Sequence, residues 1–314
     1  MCGIAGYVSH RSDFMNEYGK HMETAKRMSD TLRHRGPDAN GAWVGEHAVF
    51  SHSRLAVIDI DGGAQPMKRT VAGYDFVITY NGELYNSGEL KKELKKYGYH
   101  FTSASDTEVL LYSYIHYGSE CAKKLNGIFS FCIWDSMRGR AFLCRDRFGV
   151  KPLFYAVRGD TLIFGSELKV LFDHPLVDTY VTKEGLCEIF AVSPARTEGC
   201  GVFKEVYELC PGEIMIYDRY GIKKKKYWSL ESREHTDSYE DTIEHVRELL
   251  VDSIKRQLVS DVPIGTLLSG GLDSSIITAV AAGEIDNLPT YSFDYVDNDK
   301  YFSPSSFQPD SDAK

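Results

Sequence analysis

Residues 229–241 read Ser-Leu-Glu-Ser-Arg-Glu-His-Thr-Asp-Ser-Tyr-Glu-Asp, and the sequence before this polar stretch is built differently from the sequence after it. Before it, short apolar runs recur between turns at 3–8, 48–60 (Arg54 near the middle), 74–80, 128–134, 140–145, 153–157, 161–164, 202–209 and 213–217. Runs of that length bounded by polar turns read as strands. Met15, Tyr18, Met22, Ala25, Met28 and Leu32 recur at helical spacing, which predicts an amphipathic helix over about 14–33. Leu90, Leu94 and Tyr97 predict a second helix capped by Ser87, and a third runs from near Ser105 to Tyr117 with Gly118 as its stop. After the polar stretch, Ile243, Val246, Leu250, Ile254 and Leu258 share one helix face. A strand at 264–268, a Ser-Gly-Gly turn, a helix over about 272–282 and a strand at 290–296 then form a βαβ unit. The expectation is a strand-rich α+β domain over 2–228, a linker over 229–241, and the opening of an α/β nucleotide-binding domain over 242–314, with a disordered polar tail at 303–314.

Charge and composition exclude several function classes. The net charge is -9 and the one basic run, 223–226, reads as a solvated strand edge, so there is no footprint for nucleic acid. No apolar stretch is long enough to cross a bilayer, and no signal peptide opens the chain, so a cytoplasmic location is the default. The seven cysteines show no metal-ligand spacing, and most read as small buried apolar residues. Cys2 differs by its position. With Met1 removed it carries both a thiol and an α-amine, whose ordinary pKa values of about 8.5 and about 8 let the amine act as the thiol's base.

Asn81-Gly82 follows an apolar strand. It reads as a hairpin turn and, compatibly, as a pair of donors for a developing negative charge, since a tight turn is a rigid mount and glycine allows close approach of the backbone. Arg54 reads as a solvated edge arginine or as a carboxylate clamp on a rigid strand. Asp106 reads as a first-turn helix carboxylate or as the partner of a substrate ammonium. The loop Leu268-Ser269-Gly270-Gly271-Leu272-Asp273-Ser274-Ser275 joins a strand to a helix. Its backbone N–H groups and hydroxyls suit an anion, and it lacks the lysine of a Walker A loop.

Taken in order, these residues resemble the glutamine-hydrolysing asparagine synthetases. The resemblance is carried by Met1-Cys2-Gly3-Ile4-Ala5-Gly6, His34-Arg35-Gly36-Pro37-Asp38, Ser53-Arg54-Leu55-Ala56-Val57-Ile58-Asp59, Asn81-Gly82-Glu83-Leu84-Tyr85-Asn86 and Ser105-Asp106-Thr107-Glu108. It continues through 145–155, Gly165-Ser166-Glu167-Leu168-Lys169 and the Ser-Gly-Gly-Leu-Asp-Ser-Ser loop, to about residue 296. It implies a four-layer αββα N-terminal-nucleophile hydrolase fold for the first domain, with Cys2 as nucleophile and Asn81 with Gly82 as oxyanion hole. Arg54, Glu83 and Asp106 would hold the amino-acid end of glutamine, and Val57 and Ile58 would line its pocket. In the second domain it implies ATP contacts from Leu267, Ser269, Gly270, Gly271, Asp273, Ser274, Ser275 and Phe293. Asp273 would help to hold Mg2+ with the pyrophosphate.

The resemblance further implies glutamine, aspartate and ATP as substrates, ATP and Mg2+ as co-substrates, no prosthetic group, and compatibility with a homodimer. Family members continue past Lys314, so the expectation is a chain that hydrolyses glutamine but does not itself make asparagine. Three rivals are a sugar-phosphate aminotransferase, a relative with another acceptor (a β-lactam or peptide-cyclising synthetase), and a non-catalytic truncated partner subunit. The Ser-Gly-Gly-Leu-Asp-Ser-Ser loop argues against the first.

Overall fold

A computed structural model of the chain describes residues 1–293 and 296–303. The chain divides into two compact units, Met1–Glu231 and Ser232–Lys314. Within the first unit the strands are β1 Gly3–Ser9, β2 Ala39–Val44, β3 Ala48–Arg54, β4 Met67–Val71, β5 Tyr74–Leu84, β6 Gly127–Asp135, β7 Arg140–Arg145, β8 Phe154–Arg158, β9 Thr161–Gly165, β10 Val206–Glu208, β11 Glu213–Asp218 and β12 Gly221–Lys226. They form two six-stranded antiparallel sheets, in the orders β10-β8-β9-β1-β3-β2 and β12-β11-β7-β6-β5-β4. Helices α1 Tyr18–Thr31, α2 Ser87–Lys96, α3 Asp106–Tyr117, α4 Cys121–Lys124, α5 Leu168–Leu171 and α6 Lys183–Cys187 complete it.

Three apolar clusters define the layers. Ala25 and Met28 of α1, with Leu32 just after it, pack on the outer face of the first sheet, beside Ala5, Tyr7 and Val49. Leu90 and Leu94 of α2 and Val109, Leu110 and Leu111 of α3 pack on the outer face of the second, beside Ile78, Tyr80 and Phe131. Ile4, Val8, Phe50, Val77, Cys132 and Leu143 fill the space between the sheets. The first unit is therefore the expected αββα sandwich. A strand covered on both faces must be apolar on both, which is why β1 is buried at every position.

Local structure departs from the sequence expectation where side chains bind backbone. The run at 48–60 is not one strand: β3 stops at Arg54, whose guanidinium donates to the carbonyls of Ile58, Asp59 and Ile60 and gathers 55–63 into a loop. The helix expected from residue 14 opens with a 3-10 turn, Phe14–Glu17, before α1 begins. The run at 202–209 pairs only over Val206–Glu208, because Val202 and Glu205 lie at positive φ (67° and 53°). Strands β2 and β4, with their half-exposed patterns, were not legible as strands. The basic run 223–226 falls on β12, at the edge of the second sheet.

The second unit contains α7 Tyr239–Arg256, β13 Thr266–Leu267, α8 Leu272–Ala282, β14 Thr290–Tyr291 and α9 Asn298–Tyr301. β13 and β14 pair in parallel around α8, as a βαβ unit requires. The strands are shorter than expected, and residues 294–295 and 304–314 of the expected strand and tail lie outside the described residues.

The segment 145–152 is folded around one buried carboxylate. Asp146, 1% exposed, accepts from the backbone N–H groups of Phe129, Phe148, Val150 and Lys151 at 3.0–3.2 Å. Beside it Arg145 donates to the carbonyls of Gly149, Lys151 and Leu209. Asp146→Ala strands four donors, each costing about 1–3 kcal/mol when buried and unpaired. Denaturant unfolding should therefore show a loss of at least about 3 kcal/mol; a loss below about 1 kcal/mol would contradict this account.

Candidate active site

Because side chains alternate along a strand, residues two apart share a face. Ile4, Phe50 and Val77 face the space between the sheets, so Cys2, Arg54 and Asn81 lie on those same inward faces, at the end where β1 begins. There the apolar filling gives way to a pocket of about 100 Å3. Cys2, Arg54, Val57, Ile58, Asn81, Gly82, Glu83 and Asp106, the expected residues of the first unit, all line it. Met1, Gln65, Tyr80, Thr107 and Lys151 join them; Met1, Thr107 and Lys151 stood in the motifs and Tyr80 in an expected strand without a role in the pocket, and Gln65 carried no signal in the sequence.

The thiol is held by the start of the 55–63 loop. Leu55 N–H donates to Cys2 Sγ at 3.4 Å, and Sγ lies 3.5 Å from the Leu55 carbonyl. Burial pushes the thiol pKa up, and the Leu55 N–H and nearby positive charges only partly oppose this. Arg35 Nε donates to the Cys2 carbonyl at 2.9 Å and its other arm meets Glu167, which His34 also contacts. The first and last motifs of the unit thus clamp the backbone of the cysteine. Ser166 completes the clamp by exchanging bonds with Ile4.

Asn81 and Gly82 lie inside β5, not in a hairpin turn. The expected tight turn is therefore corrected to a strand position, held rigidly by pairing with β6. Asn81 is 1% exposed, and its Nδ2 has no hydrogen-bond partner. A buried donor left unpaired is costly unless a ligand satisfies it. A Cβ on Gly82 would lie 2.3 Å from the Ile128 carbonyl oxygen, so only glycine fits against β6 here.

Asp106 opens α3 from within the pocket wall. Tyr80 Oη donates to it at 2.8 Å and Leu84 N–H at 3.0 Å. Burial nonetheless dominates and raises its pKa to about 6, against the effect of those bonds. Arg54 spends three N–H bonds on the loop carbonyls at 2.6–3.2 Å, so two of its five donors remain. Asp59 carries the loop across to α3 by accepting from Ala104 and Ser105 N–H at 2.7 and 3.1 Å. Lys151 is 6% exposed, and its Nζ donates to Met1 Sδ at 3.2 Å.

In the second unit, Ser269, Gly270 and Gly271 form the turn from β13 into α8, with Gly270 at φ 83°, and Asp273, Ser274 and Ser275 lie in the first turn of α8. Ser274 and Ser275 Oγ both donate to the Gly271 carbonyl, and Ser269 N–H donates to Ser274 Oγ. Leu267 and Phe293 are 67% and 85% exposed. Asp273 is an exposed carboxylate in the first turn of α8. Among the described residues no three His, Cys, Asp or Glu side chains gather as a metal site, and no helix is long and apolar enough to cross a membrane.

Residues 1–228 match the glutamine amidotransferase domain family, and residues 245–312 match asparagine synthase. The chain is similar to asparagine synthetase [glutamine-hydrolyzing] 3 of Bacillus subtilis (strain 168), with 49% identity over 100% of this chain and 51% of the relative. It is similar to asparagine synthetase [glutamine-hydrolyzing] 1 of the same organism at 35% identity over 93% of this chain and 45% of the relative. The chain thus spans about half the length of the curated relatives it matches. A glutamine phosphoribosylpyrophosphate amidotransferase from B. subtilis, solved with ADP and GMP, shares the fold at a TM-score of 0.53 and 19% identity, over 98% of this chain and 69% of that one.

Proposed function

The chain belongs to the glutamine amidotransferase domain family, and we propose that its first unit hydrolyses the side-chain amide of glutamine with the Cys2 thiol as nucleophile. The observation that carries this reading is the unpaired, buried Asn81 Nδ2 in the wall of the pocket that also holds Cys2. Met1 occupies that wall too, so its removal both opens the pocket and exposes the Cys2 amine. The amine takes the thiol proton and the thiolate attacks the amide carbon. Asn81 and the Gly82 N–H stabilise the oxyanion. Collapse expels ammonia, which leaves with the proton held by the amine. Water, deprotonated by the same amine, then cleaves the thioester and frees glutamate. Arg54 and Asp106 hold the carboxylate and ammonium of the substrate, Glu83 stands beside them, and Val57 and Ile58 cover its methylenes.

For the whole protein we propose glutamine-dependent synthesis of asparagine from aspartate and ATP, on the strength of the asparagine synthase match over 245–312. The Ser269–Ser275 turn offers backbone N–H groups at a helix start to the phosphates. Asp273 suits Mg2+ held largely by phosphate and water, which needs only one or two protein carboxylates.

Cys2→Ala should abolish glutamate release from glutamine while leaving the circular dichroism spectrum unchanged. Intact mass should show active protein to lack Met1. Substantial residual glutaminase activity in the variant would overturn the nucleophile assignment.

Asn81 and Arg54 should separate in steady-state kinetics. Asn81→Ala removes a donor used in the transition state, lowering kcat by roughly 10²–10³. Arg54→Ala removes a ground-state contact and loosens the 55–63 loop, so KM rises most. The opposite pattern would refute this division.

Asp106 sets the acid behaviour of binding. It must be ionised to hold the substrate ammonium, and its pKa in the free protein is raised to about 6. Above that pH the carboxylate is charged and KM is level. Below it KM should rise about tenfold per pH unit. Asp106→Asn should have a high KM that no longer varies between pH 5 and 7. A parent KM that stays flat across that range would exclude the assignment.

A further inference from the structure

Lys151 lines the pocket that holds Cys2 and is buried there. Among the described residues its Nζ forms no ion pair with a carboxylate; the group it meets is Met1 Sδ, and a thioether is a weak acceptor. Lysine is seldom buried unpaired, because the ammonium then loses its hydration without compensation. Met1 is also the residue whose removal is proposed above. The processed chain therefore keeps a buried ammonium at the edge of the space that Met1 leaves, beside the α-amine that its removal creates.

This lysine is firmly mounted. Its N–H donates to the buried carboxylate of Asp146 at 3.0 Å, and its carbonyl accepts from Arg145 Nε at 2.9 Å. The other charges that face the amine and the thiol come from several elements. Arg35, in the loop after α1, is paired with Glu167. Arg54, at the end of β3, is turned to the carbonyls of its loop. Asp38 before β2, Glu83 of β5 and Asp106 of α3 supply negative charge. Lys151 is thus the cation of the pocket that neither a carboxylate nor a set of carbonyls absorbs. Burial lowers the pKa of the terminal amine, and Arg35 and Lys151 lower it further against the Cys2 thiol. Burial also lowers the pKa of Lys151 itself, opposed by Glu83.

The protonated amine and the thiol of Cys2 must together give up one proton before attack. Whichever atom releases it, a fixed cation nearby favours the release. We infer that the Lys151 ammonium holds the amine–thiol pair of Cys2 in the singly deprotonated form that attacks glutamine. Lys151 acts through Cys2, as a positioning residue, and this rests on the nucleophile and base roles proposed above.

The test follows kcat at saturating glutamine from pH 5 to 9 in Met1-free chains: the parent, Lys151→Met, Lys151→Gln, Lys151→Arg and Cys2→Ala, each checked by circular dichroism. Saturation removes the effect of Asp106 on binding. The pH midpoint of Cys2 alkylation by iodoacetamide reads the same pair without substrate. The parent kcat should fall on the acid side as the amine takes up its proton. In Lys151→Met and Lys151→Gln this limb should move up by about one pH unit, the scale of one charge nearby in a partly solvated site. Below the limb kcat is then about tenfold under the parent's, and above it the two converge. The alkylation midpoint should move the same way. Lys151→Arg, charged at every pH tested, should hold the limb within about 0.3 unit.

A limb that stays in place in both neutral variants overturns the inference and leaves Cys2 as nucleophile, as does a shift of about one unit in Lys151→Arg. An equal loss of kcat at every pH overturns it in favour of a structural role. A rise in KM alone overturns it in favour of a contact with the substrate carboxylate. Glutamine turnover by Cys2→Ala would remove the nucleophile itself, and the role of Lys151 with it.

Discussion

Every second residue of β1, β3, β5 and β6 looks into the space between the two sheets, and that space has to be filled. Over most of its length Ile4, Phe50, Val77 and Cys132 fill it with apolar volume. At the end where β1 begins, the same inward positions carry Cys2, Arg54, Asn81 and Ser130. The site is therefore the polar end of a core layer, not a cleft between loops. Its rigidity comes from the sheets, and its cost from the polar atoms the sheets bury. His52, fully buried with Nδ1 unpaired and its pKa lowered to about 4 by burial, is part of that cost.

The loop 55–63 shows how a flexible segment is brought to the same standard. Arg54 binds its carbonyls from one side, and Asp59 ties it to the start of α3 from the other. Gln65, just beyond, donates to the Tyr80 carbonyl and to Thr107 and accepts from Tyr80 N–H. The lining residues Val57 and Ile58 are thereby fixed to both the sheet and the helix. Arg54 serves this structural purpose in addition to facing the pocket, which the sequence could not separate from the role of a substrate clamp.

The architecture was legible because apolar runs and helical periodicity report local burial. α3 and α8 were placed within a residue of their bounds, since Ser105 caps the first and Gly283 follows the second. What failed was long-range. Asn81-Gly82 has the local chemistry of a turn, yet pairing with β6 continues β5 through Leu84, and only tertiary contact decides that. Gln65 reaches the pocket by an ordinary side chain with no local pattern to mark it, and Lys151, though inside the 145–155 motif, reaches it from a segment far from Cys2 in sequence. Tyr80 was visible as a strand residue, but not its bond to Asp106.

All the residues that line the pocket fall between Met1 and Lys151, within the first unit. Selection can therefore alter the polypeptide beyond residue 231 without replacing a single one of the side chains that shape this pocket.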